Sequence, residues 1–358
     1  MDFIRIMEEC KFKHPVYGEG LLEKGKTYFS YSQFARETAK AGLGTILEEE
    51  KPSVLSFTPN HLDAPEDFKK ILLVFAGGLG DAITCGIVLP EVVRNYGIGI
   101  DICCDRSKWD NVFRPMGMSG LHVPYPPDLD TLKDYDGVLS DITCFYPSRD
   151  GLRFSPVMEL IKGFRLKAPE IRPFYEVPED VTELWRLPSA NTIRIGVNLD
   201  SNGLVKSYPP DLYGSLLRCL EDTGFEIFLL GLNRTGCGYD SQRIRDLRSK
   251  TAIPESAAVI RQMDLVIGVD SFTVHLAHLL GTRSLVLLSS TCEESFSWHE
   301  NIQCLSSKLE CAPCYSLFDK CPANHQGCMA FYHDSVDPYA IVKCAARMLA
   351  EKFSAPFQ

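Results

Sequence analysis

Residues 266–281, VIGVDSFTVHLAHLLG, followed by 282–288, TRSLVLL, decide how this chain is read. The spacing predicts an apolar β-strand, a polar turn, a helix and a second apolar strand. In an open parallel sheet a ligand binds beyond the carboxyl ends of the strands. Asp270, Ser271, Thr273 and His275 stand at such an end and are the first candidates for ligand contact. A second strand–turn–helix unit opens at 70–81, KILLVFAGGLGD. Together the two units predict an α/β protein with two Rossmann-like, doubly wound domains facing one cleft.

Working outward, apolar strand candidates fall at 71–75, 99–104, 137–142, 193–199, 225–230, 265–269 and 284–288, with helical stretches at 82–96, 210–222 and 255–263. Strands alternating with helices predict parallel sheets covered by helices. Residues 1–68 differ, with glycine turns between short alternating stretches and a helix near 32–41, and predict a small β-rich N-terminal extension. The divisions expected are 1–68 for the extension, 69–185 and 186–335 for the two Rossmann-like domains, and 336–358 for a terminal helix, about 338–353. The segment 178–191, with Pro188 and little periodicity, is the expected linker.

Bulk composition narrows the function. The chain has 358 residues, 45% of them apolar, enough for two full cores. Its 37 Lys and Arg against 47 Asp and Glu give a formal charge of -10, which argues against broad contact with nucleic acid or acidic lipid. No apolar run approaches the 18 or so residues of a membrane span, and the opening MDFIRIMEECKFKH lacks the apolar centre of a signal peptide. A cytoplasmic protein is expected. In a reducing compartment its 14 cysteines argue against a disulfide framework.

Three clusters carry candidate chemistry. In GGLGD, glycines at 77, 78 and 80 let a ligand approach the backbone, and the helix amides behind them favour a negative group. The segment has neither the GxGxxG spacing of a dinucleotide site nor the Lys-Ser/Thr of a P-loop. Asp81 is either the N-cap of that helix or a carboxylate placed to take a proton from an attacking hydroxyl. In 200–213, DSNGLVKSYPPDLY, Lys206 just before a helix is either a solvated charge or a diphosphate contact. Asp270, Ser271 and Thr273 are either helix caps or ligand contacts; His275 and His278 have the spacing of a metal-binding pair, but His278, among apolar neighbours, is expected to be packed and hydrogen-bonded.

The third cluster is 311–329, CAPCYSLFDKCPANHQGCM. Cys311, Cys314, Cys321 and Cys328 are close enough in sequence for a tetrahedral thiolate site, with His325 and His333 as substitute ligands. The second pair lacks the tight spacing of a zinc ribbon, so a structural metal and metal-free cysteines both stay open. Either way the role is structural, because a fully ligated site has no open position for substrate.

GLGD at 78–81, KSYPPDLY at 206–213, IGVDSFTVHLA at 267–277 and the cysteine-rich segment, in this order, resemble glycosyltransferase family 9, the ADP-heptose transferases of lipopolysaccharide and their relatives. The resemblance implies the GT-B architecture and an inverting transfer without a divalent metal. The donor would be a nucleotide-diphosphate sugar, ADP-linked, held mainly by the C-terminal domain. The acceptor would be a hydroxyl of a glycan or a protein. It implies Asp81 as general base, Lys206 as diphosphate contact, and Gly78, Gly80, Lys206, Asp270, Ser271, Thr273 and His275 as donor-binding residues. Phe272 departs from the glycine many members carry there, which bears on the size of the donor pocket. The N-terminal extension resembles extra elements of bacterial autotransporter heptosyltransferases, some of which hold iron on four cysteines. Iron or zinc, which soft sulfur ligands suit, is one expectation at the cysteine cluster, and a homo-oligomer is a separate one. A nucleotide-sugar-binding protein without catalysis, and an epimerase or hydrolase on the same scaffold, are the alternatives.

Overall fold

The computed structural model describes residues 2–14, 18–47, 56–57, 68–139, 153–167, 169–189, 191–232, 241–296, 298, 301–307, 309–316, 321, 323, 325 and 327–354. The chain divides into two compact units, the first comprising 1–146 and 157–172, the second 147–156 and 173–358.

Unit 1 opens with an antiparallel sheet of order β4-β1-β5, from β1 (Asp2–Ile6), β4 (Thr27–Ser30) and β5 (Gly44–Ile46), and a hairpin of β2 (Cys10–His14) and β3 (Gly18–Leu22). Helix α1 (Ser32–Lys40) lies between β4 and β5. The extension does not stand apart. Phe3, Ile4, Ile6, Tyr28 and Phe29 share one core with Leu72, Val74, Cys103 and Val138. The expected division at 68/69 therefore falls inside unit 1. β6 (Ser56–Phe57) lies N-terminal to that division, yet it is the edge strand of the larger sheet.

That larger sheet has order β6-β10-β7-β8-β9, with every pair parallel, from β7 (Lys70–Val74), β8 (Gly99–Cys104), β9 (His122–Pro124) and β10 (Gly137–Leu139). The connections are α2 (Leu79–Tyr96), the short α3 (Arg106–Lys108) running into a π-helical turn at Trp109–Phe113, and α4 (Leu129–Leu132). From β7 the chain steps outward through β8 and β9, then returns to β10 on the other side of β7. The order thus reverses at β7, whose carboxyl end leads into the glycine turn. The expected strand 137–142 is present through Leu139, and its tail lies outside the described residues. Helix α5 (Pro156–Gly163) belongs to unit 1 from Val157 onward.

Unit 2 holds the second sheet, of order β13-β12-β11-β14-β15-β16, all parallel. Its strands are β11 (Arg194–Asn198), β12 (Glu226–Leu229), β13 (Ile244–Asp246), β14 (Leu265–Val269), β15 (Ser284–Leu288) and β16 (Ile302–Ser306). Counted within the unit this is 3-2-1-4-5-6, the strand order of the dinucleotide-binding fold. β14 and β15 are buried at every residue, which is why they read as unbroken apolar runs. β13 and β16, at the edges, carry mixed sequences and were not expected.

The helices of unit 2 are α6 (Glu179–Leu184), α7 (Pro210–Asp222), α8 (Ile253–Ile260), α9 (Phe272–Leu279) and α10 (Pro338–Ser354). α7 begins with Pro210 in its first turn, where a missing N–H costs nothing, and buries Tyr213, Leu216, Leu217 and Leu220 along one stripe. The expected linker 178–191 instead carries α6 and is tied to α8's end. Leu187 N donates to Gln262 Oε1 at 2.8 Å, and Gln262 Nε2 donates to Trp185 O at 2.9 Å. Residues 173–185 accordingly pack with unit 2.

Candidate functional site

The sequence-derived candidates gather in two places, one in each unit. In unit 2 the reversal of strand order lies between β11 and β14, and the loops leaving these strands carry Lys206 and Asp270. Their side chains meet: Lys206 Nζ stands 2.9 Å from Asp270 Oδ2. Thr291, in the loop after β15, donates its hydroxyl to the same oxygen at 2.8 Å. His275 Nε2 lies 3.7 Å from Asp270 Oδ1. Burial pushes the Asp270 carboxyl up, yet the Lys206 ammonium and His275 outweigh it and hold the group well below the usual carboxylate range. The His275 ring stacks on the buried Phe296, 4.9 Å between centroids.

Lys206 is held in place by its loop rather than left to solvent. Tyr208, two residues on, is fully buried; its N–H bonds Leu199 O at 2.9 Å and its ring meets Phe331 edge-on at 5.2 Å. The Ser207 hydroxyl accepts from Ser201 N at 3.0 Å and donates to Gly203 O at 3.1 Å, closing the turn. Ser289 donates to Val205 O at 2.9 Å, joining the turn to the loop after β15. Lys206 is thereby a half-enclosed cation, 17% exposed at its side chain.

Ser271 is the N-cap residue of α9 in position, with no side-chain capping bond. Its hydroxyl and that of Thr273 instead take the amide of Asn198, at 3.2 and 2.6 Å. Asn198 Oδ1 accepts Asp200 N at 3.2 Å, so one buried amide ties the end of β11 to the start of α9. The backbone of Gly231 passes so close that a Cβ there would stand 2.8 Å from Asn198 Oδ1, and its φ of +85° is itself a glycine conformation. Sequence reasoning missed Asn198 and Thr291. The available signal was positional: each is a polar residue at or just beyond the carboxyl end of a strand neighbouring β14.

His278, on the next turn of α9, is buried as expected. Burial, with His275 nearby, pushes its imidazole down to about 4.

In unit 1, α2 starts at Leu79, three residues earlier than the pattern suggested. Asp81 is therefore the third residue of the helix rather than its N-cap, a position Gly78 takes. The carboxylate still caps: its Oδ2 accepts Gly78 N at 3.0 Å. A Cβ on Gly77 would meet the Phe75 ring at 2.7 Å and Asp81 Cβ at 3.0 Å, so the glycine there is required by close packing. Gly80 O accepts the Thr84 hydroxyl at 3.2 Å. Lys108, on the neighbouring strand's exit and buried, is pushed down by desolvation, opposed by Asp105, Cys104 and Asp81.

The cysteine segment is partly described. Cys311 is exposed, Cys314 and Cys321 are half-buried, Cys328 is buried, and all four are free thiols. Burial raises the Cys328 thiol, and Cys314, Cys311 and Cys321 raise it further, so the four sulfurs share one neighbourhood. Among the described residues, however, no three His, Cys, Asp or Glu side chains are placed to hold a metal ion. Of the two histidines in this region, His325 is exposed, and His333 Nδ1 pairs with the Ser335 hydroxyl at 2.9 Å. No described helix is long and apolar enough to cross a membrane.

Residues 169–324 match the model of glycosyltransferase family 9 (heptosyltransferase). The chain carries a glycosyltransferase family 9 domain. That domain is of the heptosyltransferase type. The family 9 match contains Lys206, Asp270 and their neighbours, whereas Asp81 precedes it. Among solved structures, the chain is similar to ADP-heptose lipopolysaccharide heptosyltransferase II of Escherichia coli, at 15% identity over 80% of this chain and 100% of that one, TM-score 0.60. It is similar to a family 9 glycosyltransferase of Veillonella parvula at 14% identity over 79% and 97% of the two chains, TM-score 0.60. It is also similar to TibC, a dodecameric iron-containing heptosyltransferase of enterotoxigenic Escherichia coli, in complex with ADP-D-β-D-heptose, at 10% identity over 99% and 92%, TM-score 0.60. At these identities the likeness is one of fold. No curated protein matches the chain in sequence.

Proposed function

We propose that this chain transfers a heptose or closely related sugar from an ADP-linked donor to a hydroxyl of a glycan or protein acceptor, with inversion and without a divalent metal. One observation carries the reading: an enclosed lysine, Lys206, is positioned by Asp270 where the strand order of the unit 2 sheet reverses. This is the place where such folds take nucleotides.

The transfer is a single displacement. The acceptor oxygen forms a bond to the anomeric carbon as the bond from that carbon to the diphosphate breaks, and the acceptor proton passes to Asp81. The electron pair of the broken bond leaves with the nucleoside diphosphate, whose growing charge Lys206 answers together with the first amides of α9. In this reading Asp270 presents Lys206, His275 steadies Asp270, and Asn198 fixes the start of α9. Ser271 and Thr273, engaged with Asn198, offer their remaining lone pairs and protons to the donor. The cysteine segment takes no part in the transfer.

The experiment is release of ADP from ADP-heptose with candidate acceptors, for wild type, Asp81→Asn and Lys206→Gln. Losing one electrostatic contact of this kind costs about 10²- to 10³-fold in rate, and a comparable loss is expected for each variant. Full turnover in Asp81→Asn would remove the base assignment. ADP and free heptose formed at the same rate without acceptor would favour a hydrolase.

A further inference from the structure

Unit 1 contains a pocket that the donor chemistry does not use. Its volume is about 290 Å³, and it lies between the N-terminal strands and the carboxyl edge of the first parallel sheet. Glu19, Leu21, Glu23 and Tyr28 line it from the extension; Asp105, beyond β8, and Tyr125, beyond β9, line it from the sheet.

We propose that this pocket holds a neutral sugar ring of the acceptor. The proposal rests on the glycosyl-transfer reading and names the acceptor's chemistry. Position is the first argument. β7, β8 and β9 are consecutive parallel neighbours, so their carboxyl ends lie along one edge. Strands sit about 5 Å apart, which puts the ends of β8 and β9 roughly 5 and 10 Å along that edge from the turn that carries Asp81. An acceptor ring seated there leaves the neighbouring ring at the proposed base.

The lining is the second argument. Exposed Pro124 supplies an apolar face for the C–H side of a sugar ring, backed by the buried Tyr28, Tyr125, Pro126 and Pro127, and carboxylates supply acceptors for its hydroxyls. The cations nearby are already engaged. Arg106 Nε pairs with Asp110 at 2.7 Å, and Lys26 bridges Glu23 and Asp128 at 3.1 Å each. Glu19 pairs with Lys13 at 3.7 Å, and Glu23 and Asp128 share Lys26; even so, Glu19, Glu23, Asp105 and Asp128 outnumber Arg106 on the lining, so an acidic ring meets net negative charge and is disfavoured.

The third argument is pre-organisation. Lys26 staples the turn after β3 to the start of α4, Phe29 N donates to Pro127 O at 3.0 Å, and Tyr31 N donates to Tyr125 Oη at 3.0 Å. A pocket already fixed by such bonds pays little to order itself around a ligand. Leu21, 47% exposed, is an apolar side chain at its margin.

The test is saturation-transfer NMR on the full chain with methyl glycosides of mannose, glucose, galactose and N-acetylglucosamine, methyl glucuronide, and ADP as the donor-site control. The expected result is transfer to at least one neutral glycoside and none to the uronide. Leu21→Trp, a substitution at an exposed position, is expected to abolish the glycoside signal and leave the ADP signal and Tm unchanged. Equal transfer to the uronide, a glycoside signal that survives in Leu21→Trp, or no glycoside signal beside a normal ADP signal each overturns the pocket assignment alone. Absence of the ADP signal in wild type overturns the transfer reading, and the acceptor role of the pocket with it.

Discussion

Asp270 shows how one residue takes on two duties. Its carboxylate is only 14% exposed and faces Lys206 at 2.9 Å, so removing one partner strands a charge in a poorly hydrated place. Breaking a buried pair in this way costs about 3 kcal/mol or more, whereas replacing both partners with apolar groups of similar size is far milder. Urea unfolding is therefore expected to show Asp270→Ala strongly destabilised and Asp270→Leu/Lys206→Met largely recovered; equal losses in both would mean the pair is not coupled. The pair also sets a pH dependence. Because the folded carboxyl titrates well below its unfolded value of about 4, the stabilisation is present above that pH and is lost as pH falls toward and through the lower folded value. His278 acts in the same direction at milder pH. Its imidazole, at about 4 when folded, binds a proton more readily in the unfolded chain, so stability is kept above the unfolded value of about 6.5 and falls by about 2 kcal/mol by pH 5. His278→Gln is expected to flatten that slope between pH 7 and 5, and an unchanged slope would assign it to other groups.

Elements bring these residues together, and here the sequence was legible to different depths. β14 and β15 were readable to the residue because both are buried on each face and carry no polar interruption. α7 was readable because its proline start and apolar stripe agree. α2 was misread by three residues, because GGLG offers no capping side chain and Asp81 caps backwards from inside the helix. The edge strands β13 and β16 were invisible because half-exposed strands lack a continuous apolar run. Asn198 was invisible for another reason: its partners Ser271 and Thr273 are over seventy residues away. Asn198→Ala leaves two hydroxyls and one amide short of partners and is expected to cost about 1–3 kcal/mol. Gly231→Ala collides with the same side chain at a positive φ and is expected to cost about as much. Calorimetry on the two single variants and the double would show losses that do not add, since both act through one amide; simple additivity would contradict the link. In the cysteine segment, alkylation followed by mass spectrometry is expected to label exposed Cys311 first and Cys328 last, because the thiolate is the reactive form and burial raises the Cys328 thiol. Equal rates would mean that the segment opens freely.

At the scale of the molecule, the alternation of strands and helices announced two parallel sheets, and the chain has them. The strand order of either sheet was not readable, since order depends on which side of β7 or β11 each crossover lands, and both landings are set by packing rather than by local pattern. The extension's place was equally hidden. Its strands look self-contained, yet their apolar residues complete the core of the first sheet. The central claim concerns unit 2: a nucleoside diphosphate binds at the reversal between β11 and β14 through Lys206. Thermal unfolding with ADP and ADP-heptose, beside UDP and GDP as controls, tests it directly, using wild type and the near-isosteric Asp270→Asn/Lys206→Gln. A ligand at 100 times its Kd adds about 2.7 kcal/mol of stability. The account predicts that ADP or ADP-heptose raises the wild-type Tm, that UDP and GDP raise it less, and that the double variant loses the shift while remaining folded. No shift with any nucleotide in wild type, or an undiminished shift in the double variant, would contradict it.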